Sequence, residues 1–227
     1  MTSAEWTVIA LSLKVAAWAT AASIPLALAA AFALARGKFK GRAILNALVH
    51  LPLILPPVVT GYALLLLFGR RGLLGAPLAE LGIVFAFHWT GAALTAGIMA
   101  FPLMVRAMRL SIDAVDPKLE AAAQSLGAGR MSTFIFITLP LIVPGILAGA
   151  ILAFAKAMGE FGATITFVSN IPGETQTVPL AIYTALQVPG GEAAAVRLVL
   201  LSLTVSLGAL FAADGLSRWA ARWVAGR

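Results

Sequence analysis

The chain has 227 residues, of which 61% are hydrophobic and 11% charged, and its formal net charge is +7. A soluble domain carries about 25% charged residues, so this composition, with a mean hydropathy of +0.98, excludes an ordinary water-soluble protein. Cysteine is absent, which excludes disulfides, thiolate metal sites and cysteine nucleophiles.

Five apolar runs are long enough to cross a bilayer as helices, which takes about 20 residues. They cover about 7–35, 43–68, 82–105, 133–155 and 194–213. Strands of a membrane barrel would alternate in polarity instead of running unbroken. The predicted fold is therefore an all-α integral membrane protein of about five transmembrane helices, with residues 1–227 forming a single domain.

The first run has only Glu5 as a charge before Lys14 and is too long for the apolar region of a signal peptide. It is expected to be a retained helix, carrying Pro25 and ending at the basic Arg36–Arg42 loop. The second run contains Pro52, Pro56 and Pro57, which remove backbone donors and bend a helix; Thr60 and Gly61 follow. The carbonyls freed there need partners. This portion either faces protein or an aqueous path, or is a simple packing kink. The third run places His88 and Trp89 near one end and Pro102 near the other. His50 and His88 share no ligand-like spacing with carboxylates, so no metal site is expected, and Trp89 suits an interfacial anchor.

A small polar segment then separates two apolar runs: Glu120, Ala121, Ala122, Ala123, Gln124, Ser125, Leu126 and Gly127, with Leu139-Pro140 beyond. Alanines let another surface approach the backbone closely. Glu120 suits the positive end of a helix dipole, and Gly127 fits a helix stop. After the fourth run and Lys156 the pattern changes again. Residues 159–170 are apolar but rich in glycine and hydroxyls, 171–177 form a polar turn segment, and 178–186 read as a short helix. A partly re-entrant element with a short external helix is predicted here. Beyond the fifth run, Trp219 and Trp223 alternate with Arg218 and Arg222 on an amphipathic tail.

The positive charge records topology, not nucleic-acid binding. Arg36, Lys38, Lys40, Arg42, Arg106, Arg109, Lys118, Arg130, Arg218, Arg222 and Arg227 fall on one face if five helices alternate, against Arg70, Arg71, Arg197 and Lys156 on the other. The positive-inside rule then places the N-terminus outside and the C-terminus in the cytoplasm, and with it the Glu120–Gly127 segment. Chemistry is sparse. No phosphate-binding G-x-x-x-x-G-K-[ST] loop occurs, nor a nucleophilic triad, so no enzyme activity or cofactor is expected of this chain. Glu160 is the one carboxylate near membrane depth. Such a residue is a functional candidate, or else the cap of an outer helix end.

The Glu120–Gly127 segment resembles the "EAA" cytoplasmic loop of type I ABC-importer permeases, whose coupling helix docks on an ATPase subunit. The resemblance extends to His50–Val59, to Phe101–Ala107 and to Gly159–Thr177, which are similar to molybdate and tungstate permeases; sulfate permeases share a related Gly-Glu-Phe-Gly. It implies a pore-forming subunit of the cell inner membrane that imports molybdate or tungstate. It further implies a second copy of the chain, two ATPase subunits and a periplasmic or lipid-anchored binding protein. A sulfate-type permease is the alternative. A proton-coupled secondary transporter fits less well, because interior carboxylates and internal repeats are missing. Thr60, Glu160, Thr164, Thr166, Ser169 and Asn170 are the candidate path or gate residues, since a dianion losing its hydration needs replacement donors. For each hydroxyl the alternative is a hydrogen bond to its own helix.

Overall fold

The computed structural model describes residues 2–225, apart from the side chains at 213 and 216–225. The tryptophan–arginine alternation of the tail therefore lies outside the described side chains. Every regular element described is helical. In chain order they are α1 (Ser3–Arg36), α2 (Arg42–Ile54), α3 (Pro57–Phe68), α4 (Gly75–Glu80), α5 (Trp89–Asp113), α6 (Pro117–Ser125), α7 (Arg130–Thr133), α8 (Leu139–Met158), α9 (Gly162–Val168), α10 (Val178–Leu186) and α11 (Glu192–Ala225). A π-helical turn, Phe134–Thr138, joins α7 to α8, so that 130–158 form one long rod.

Local chemistry sets the boundaries. At the start of α1 the Thr2 hydroxyl accepts from the Glu5 N–H, and the Glu5 carboxylate accepts from the Thr2 N–H, a reciprocal capping box. The His88 ring accepts from the Thr90 N–H and starts α5. This start falls later than the apolar run suggests. Gly82 and Phe87 take positive φ angles of 77° and 62°, so the segment before Trp89 is a turn despite its composition. The helix then continues past Pro102 to Asp113.

Among the described residues four helices are long and apolar enough to cross a membrane, and α2 with α3 makes a fifth if the pair is counted as one span. That pair is bent by 114° at its break. Pro56 and Pro57 account for it: a residue before proline is pushed out of the helical region, and Leu55 and Pro56 adopt extended ψ angles of 142° and 136°. Pro57 then starts α3 at the first helical position, where its missing N–H costs nothing.

The long helix α5 is the central post. Some 67% of its most apolar stretch is buried, against 28% for α1, 17% for 130–158 and 11% for α11, and α1 and α8 pack along it. One half of the core gathers Leu34, Val49, Met104, Met108, Ile112 and Ile142. The other gathers Val15, Ala19, Leu64, Ala96, Phe167 and Val168. The peripheral helices leave large apolar side chains exposed, among them Leu200, Leu203 and Phe211 on α11. Such faces suit lipid, where burying them elsewhere gains nothing.

Contacts at the two ends fix which loops lie together. At one end the Arg36 guanidinium donates to the carbonyls of Ile112 and Val115 at 3.3 and 3.0 Å, and Arg109 reaches Asn46 at 3.4 Å. At the other, Arg197 pairs with Glu5 at 3.1 Å, and the Val178 N–H donates to Ser12 at 2.7 Å. The first basic loop and the Glu120 segment thus share one end, opposite the N-terminus, as the charge pattern predicts.

Candidate functional site: an exposed helix and a close helical contact

Asp116 and Pro117 begin α6. The Asp116 carboxylate accepts from the Lys118 N–H at 2.9 Å, and Pro117 occupies the first helical position. The far end is a Schellman motif. The Ala128 N–H donates to the Ala123 carbonyl and the Gly127 N–H to that of Gln124, both at 3.0 Å. Gly127 has a φ of +91°, which only glycine adopts without cost. A single turn signal thus stops the helix and orients Leu126, which is 90% exposed.

Glu120 faces back into the protein. It accepts a 2.8 Å hydrogen bond from the Thr138 hydroxyl and lies 3.8 Å from the Arg36 guanidinium. Arg36 also caps the final carbonyls of α5, where a cation complements the helix dipole. One carboxylate therefore ties α6 to α1 and to the π-turn entering α8. Ala121, Ala122, Gln124, Ser125 and Leu126 are exposed, and Ala123 is half-buried. What remains outward is a short, small-residue helix with one projecting leucine, held rigidly at its base. The anchoring role of Arg36 and Thr138 is absent from the sequence reading; the Asp116-Pro117 start was readable as a cap followed by proline.

At the opposite end α3 and α9 meet closely. A Cβ added to Gly61 would lie 2.4 Å from the Ala163 carbonyl oxygen, and one on Gly162 would lie 2.9 Å from Pro57. Thr60 and Thr164 are buried in this region, at 7% and 2% exposure. The Thr60 hydroxyl has no hydrogen-bond partner among the described residues. Thr166 donates to the Gly162 carbonyl of its own helix at 2.8 Å.

Glu160 is 3% exposed. It pairs with Lys156 at 2.6 Å and accepts from the Ala163 N–H at 3.2 Å. It thus caps the entry into α9 and has a partner one helical turn back. Ser169, with a φ of 65°, and Asn170 serve the hairpin that follows. The Ser169 carbonyl accepts from the buried Thr175 hydroxyl, and the Asn170 amide donates to Thr184 at 2.7 Å. The six candidate residues therefore divide. Thr60, Thr164 and Thr166 belong to the α3–α9 contact, Glu160 to its cap, and Ser169 and Asn170 to a folded turn.

Residues 23–222 match the family described as binding-protein-dependent transport system inner membrane component, and the chain belongs to that family. It is an inner-membrane transport component, and its curated relatives are transport permeases. Among curated relatives it is 53% identical over 219 residues to the molybdenum transport system permease protein ModB of Escherichia coli (strain K12), covering 96% of each chain. It is 51% identical over 215 residues to ModB of Haemophilus influenzae, covering 94% of each. Among solved structures, a bacterial ABC transporter that imports the acidic polysaccharide alginate superposes with a TM-score of 0.76 at 19% identity, over 96% of this chain and 80% of that one. That likeness concerns the fold of an ABC-transporter permease.

Proposed function

We propose that this chain, as a single transmembrane domain over 1–227, is the pore subunit of an ATP-driven importer for molybdate or tungstate. Two copies form the path, and two separate ATPase subunits hydrolyse ATP beneath them. A periplasmic or lipid-anchored binding protein delivers the oxyanion. Kinship with molybdenum permeases at about half identity along nearly the whole chain supports the substrate. The observation that carries the mechanism is α6: an exposed helix ending in Leu126 and Gly127, braced by Glu120 to α1 and to the base of α8.

In this mechanism α6 sits in a cleft of the ATPase. When ATP draws the two ATPase subunits together, the two α6 helices approach each other. The Glu120 brace passes the displacement to α1 and α8 as a rigid-body movement between two packings. The outer ends of the helices part and the binding protein releases its dianion. Hydrolysis restores the inward-open packing. Thr60, Thr164 and Thr166 are the hydroxyls best placed to replace lost hydration at the α3–α9 contact; Thr60, with its unpaired hydroxyl, is the first candidate.

A purified complex of this chain, its ATPase and its binding protein tests the substrate. Its ATPase rate should rise with molybdate- or tungstate-loaded binding protein, with sulfate a weak competitor. Stimulation by the sulfate-loaded form alone rejects molybdate in favour of a sulfate-type permease.

Orientation has its own test. The N-terminus is outside and α6 cytoplasmic in this proposal, and a chain without cysteine allows single-cysteine labelling. In intact cells a membrane-impermeant maleimide should label Ser3→Cys, and Ser125→Cys only after permeabilisation. The reverse pattern inverts the topology.

A further inference from the structure

An open cavity of about 590 Å³ runs between α1, α2 and α5, on the half of the bundle away from α6. Its mouth is formed by Trp18 and Thr90, and its walls by Ala22, Leu26, Leu48 and Phe101 among other apolar side chains. No carboxylate, lysine or arginine lines it among the described residues. Trp18, Leu26 and Leu48 are 59%, 66% and 60% exposed, so the groove opens sideways from the bundle.

Its depth matches one leaflet. The chargeless stretch of α1 from Lys14 to Arg36 is roughly 33 Å long at 1.5 Å per residue, close to the ~30 Å hydrocarbon core of a bilayer. Lys14 and Trp18 therefore mark one membrane boundary and Arg36 the other. From Trp18 to Leu26 the groove descends roughly 12 Å, and from Thr90 to Phe101 roughly 17 Å. Half of the bilayer core is about 15 Å. The groove starts at an interface and ends near the midplane.

A cation stands beside the mouth, one helical turn before Trp18 on α1. The Lys14 ammonium sits 3.6 Å from the centroid of the Trp89 ring, a cation–π contact, and Trp18 lies against the same ring at 6.4 Å. Lys14 is exposed, so its outward side remains available to an anion. Beside it the His88 ring and the Thr90 hydroxyl are joined at 2.8 Å. The nearest carboxylate along α1, Glu5, is already engaged by Arg197.

From this combination we infer that the groove is a binding site for an anionic glycerophospholipid of the leaflet opposite α6. Its phosphate is held by Lys14 over Trp89, and one acyl chain lies between α1, α2 and α5. Lipid at this place supports the contact of α2 with α5 just before the 114° break, where Val49 is the buried residue of α2. The inference requires only that α1 spans the membrane, and stands apart from the substrate.

The assembled complex with its ATPase subunits, incubated with phosphatidylglycerol or with phosphatidylethanolamine and examined by native mass spectrometry, provides the test. Wild type should retain phosphatidylglycerol preferentially. Lys14→Gln should lower its retention about fivefold, the factor for one lysine at an anionic surface, and leave phosphatidylethanolamine unchanged. Ala22→Trp, at an exposed wall position, should abolish retention of both by filling the groove. Retention unaffected by either variant would overturn the site. So would an efficient disulfide between two copies carrying Ala22→Cys, which would show that a second copy covers the groove.

Discussion

Replacing Gly127 by valine is expected to cut ATP-driven uptake at least about tenfold while leaving the protein in the membrane. The space around this residue is open, with nothing within 4 Å of an added Cβ, so no clash is responsible. The cause is the backbone. At a φ of +91° an L-residue pays about 1–2 kcal/mol, more if β-branched, and 1.4 kcal/mol is a factor of ten in an equilibrium. The Schellman end of α6 then opens and Leu126 leaves its fixed direction. Asparagine tolerates this region, so Gly127→Asn should retain much of the uptake. Uptake and ATP hydrolysis measured together in proteoliposomes decide it: valine should leave basal hydrolysis with little transport. Equal transport by valine and wild type would remove α6 from the coupling role.

A second large effect is expected at the cap of α9. Glu160 has a side chain only 2% exposed, whereas Lys156 is 32% exposed. Lys156→Ala strands a buried carboxylate, and breaking a buried pair in this way costs about 3 kcal/mol. Glu160→Gln keeps an acceptor for the Ala163 N–H, and the lysine can extend its ammonium to water. Lys156→Ala should therefore lower the melting temperature of the complex more than Glu160→Gln, and the double variant should regain most of the loss. Transport should follow the same order, because α9 packs on α3 through Gly61 and Gly162 with no slack. Additive losses in the double variant would mean that the two residues act independently.

Much of this structure is written locally, and that part was legible. Long chargeless runs mark α1, the rod 130–158 and α11, because lipid demands internally bonded backbone and tolerates apolar side chains. The end of α6 was legible because a helix stop with positive φ calls for glycine. That the basic loops lie together follows from the lysines and arginines, and the Arg36 contacts with α5 join them at one end. The Lys156–Glu160 pair stands in the sequence at the spacing of one helical turn, yet Glu160 reads there only as the one carboxylate near membrane depth, a functional candidate or a helix cap.

Other features are not local. Pro52, Pro56 and Pro57 announce a bend but not its size of 114°, and the sequence does not show that α2 then packs on α5 and α3 on α9. The turn before Trp89 is composed like the helix that follows it, so the onset of α5 depends on Gly82 and Phe87 taking positive φ. The partners of Glu120, namely Arg36 and Thr138, lie far from it in sequence, and only the folded bundle brings them together. The π-turn at Phe134–Thr138 has no sequence signature of its own. It sits where α8 receives the Glu120 brace, a frequent position for such turns at functional joints.

Uptake into proteoliposomes gives the most direct measurement. The complex of this chain with its ATPase is reconstituted, ATP is enclosed, and molybdate-loaded binding protein is supplied outside with labelled molybdate. ATP-dependent accumulation should occur, cease without ATP or binding protein, and fall at least about tenfold in Gly127→Val. Accumulation that persists without ATP and follows an imposed proton gradient would contradict an ATP-driven importer and identify a secondary transporter instead.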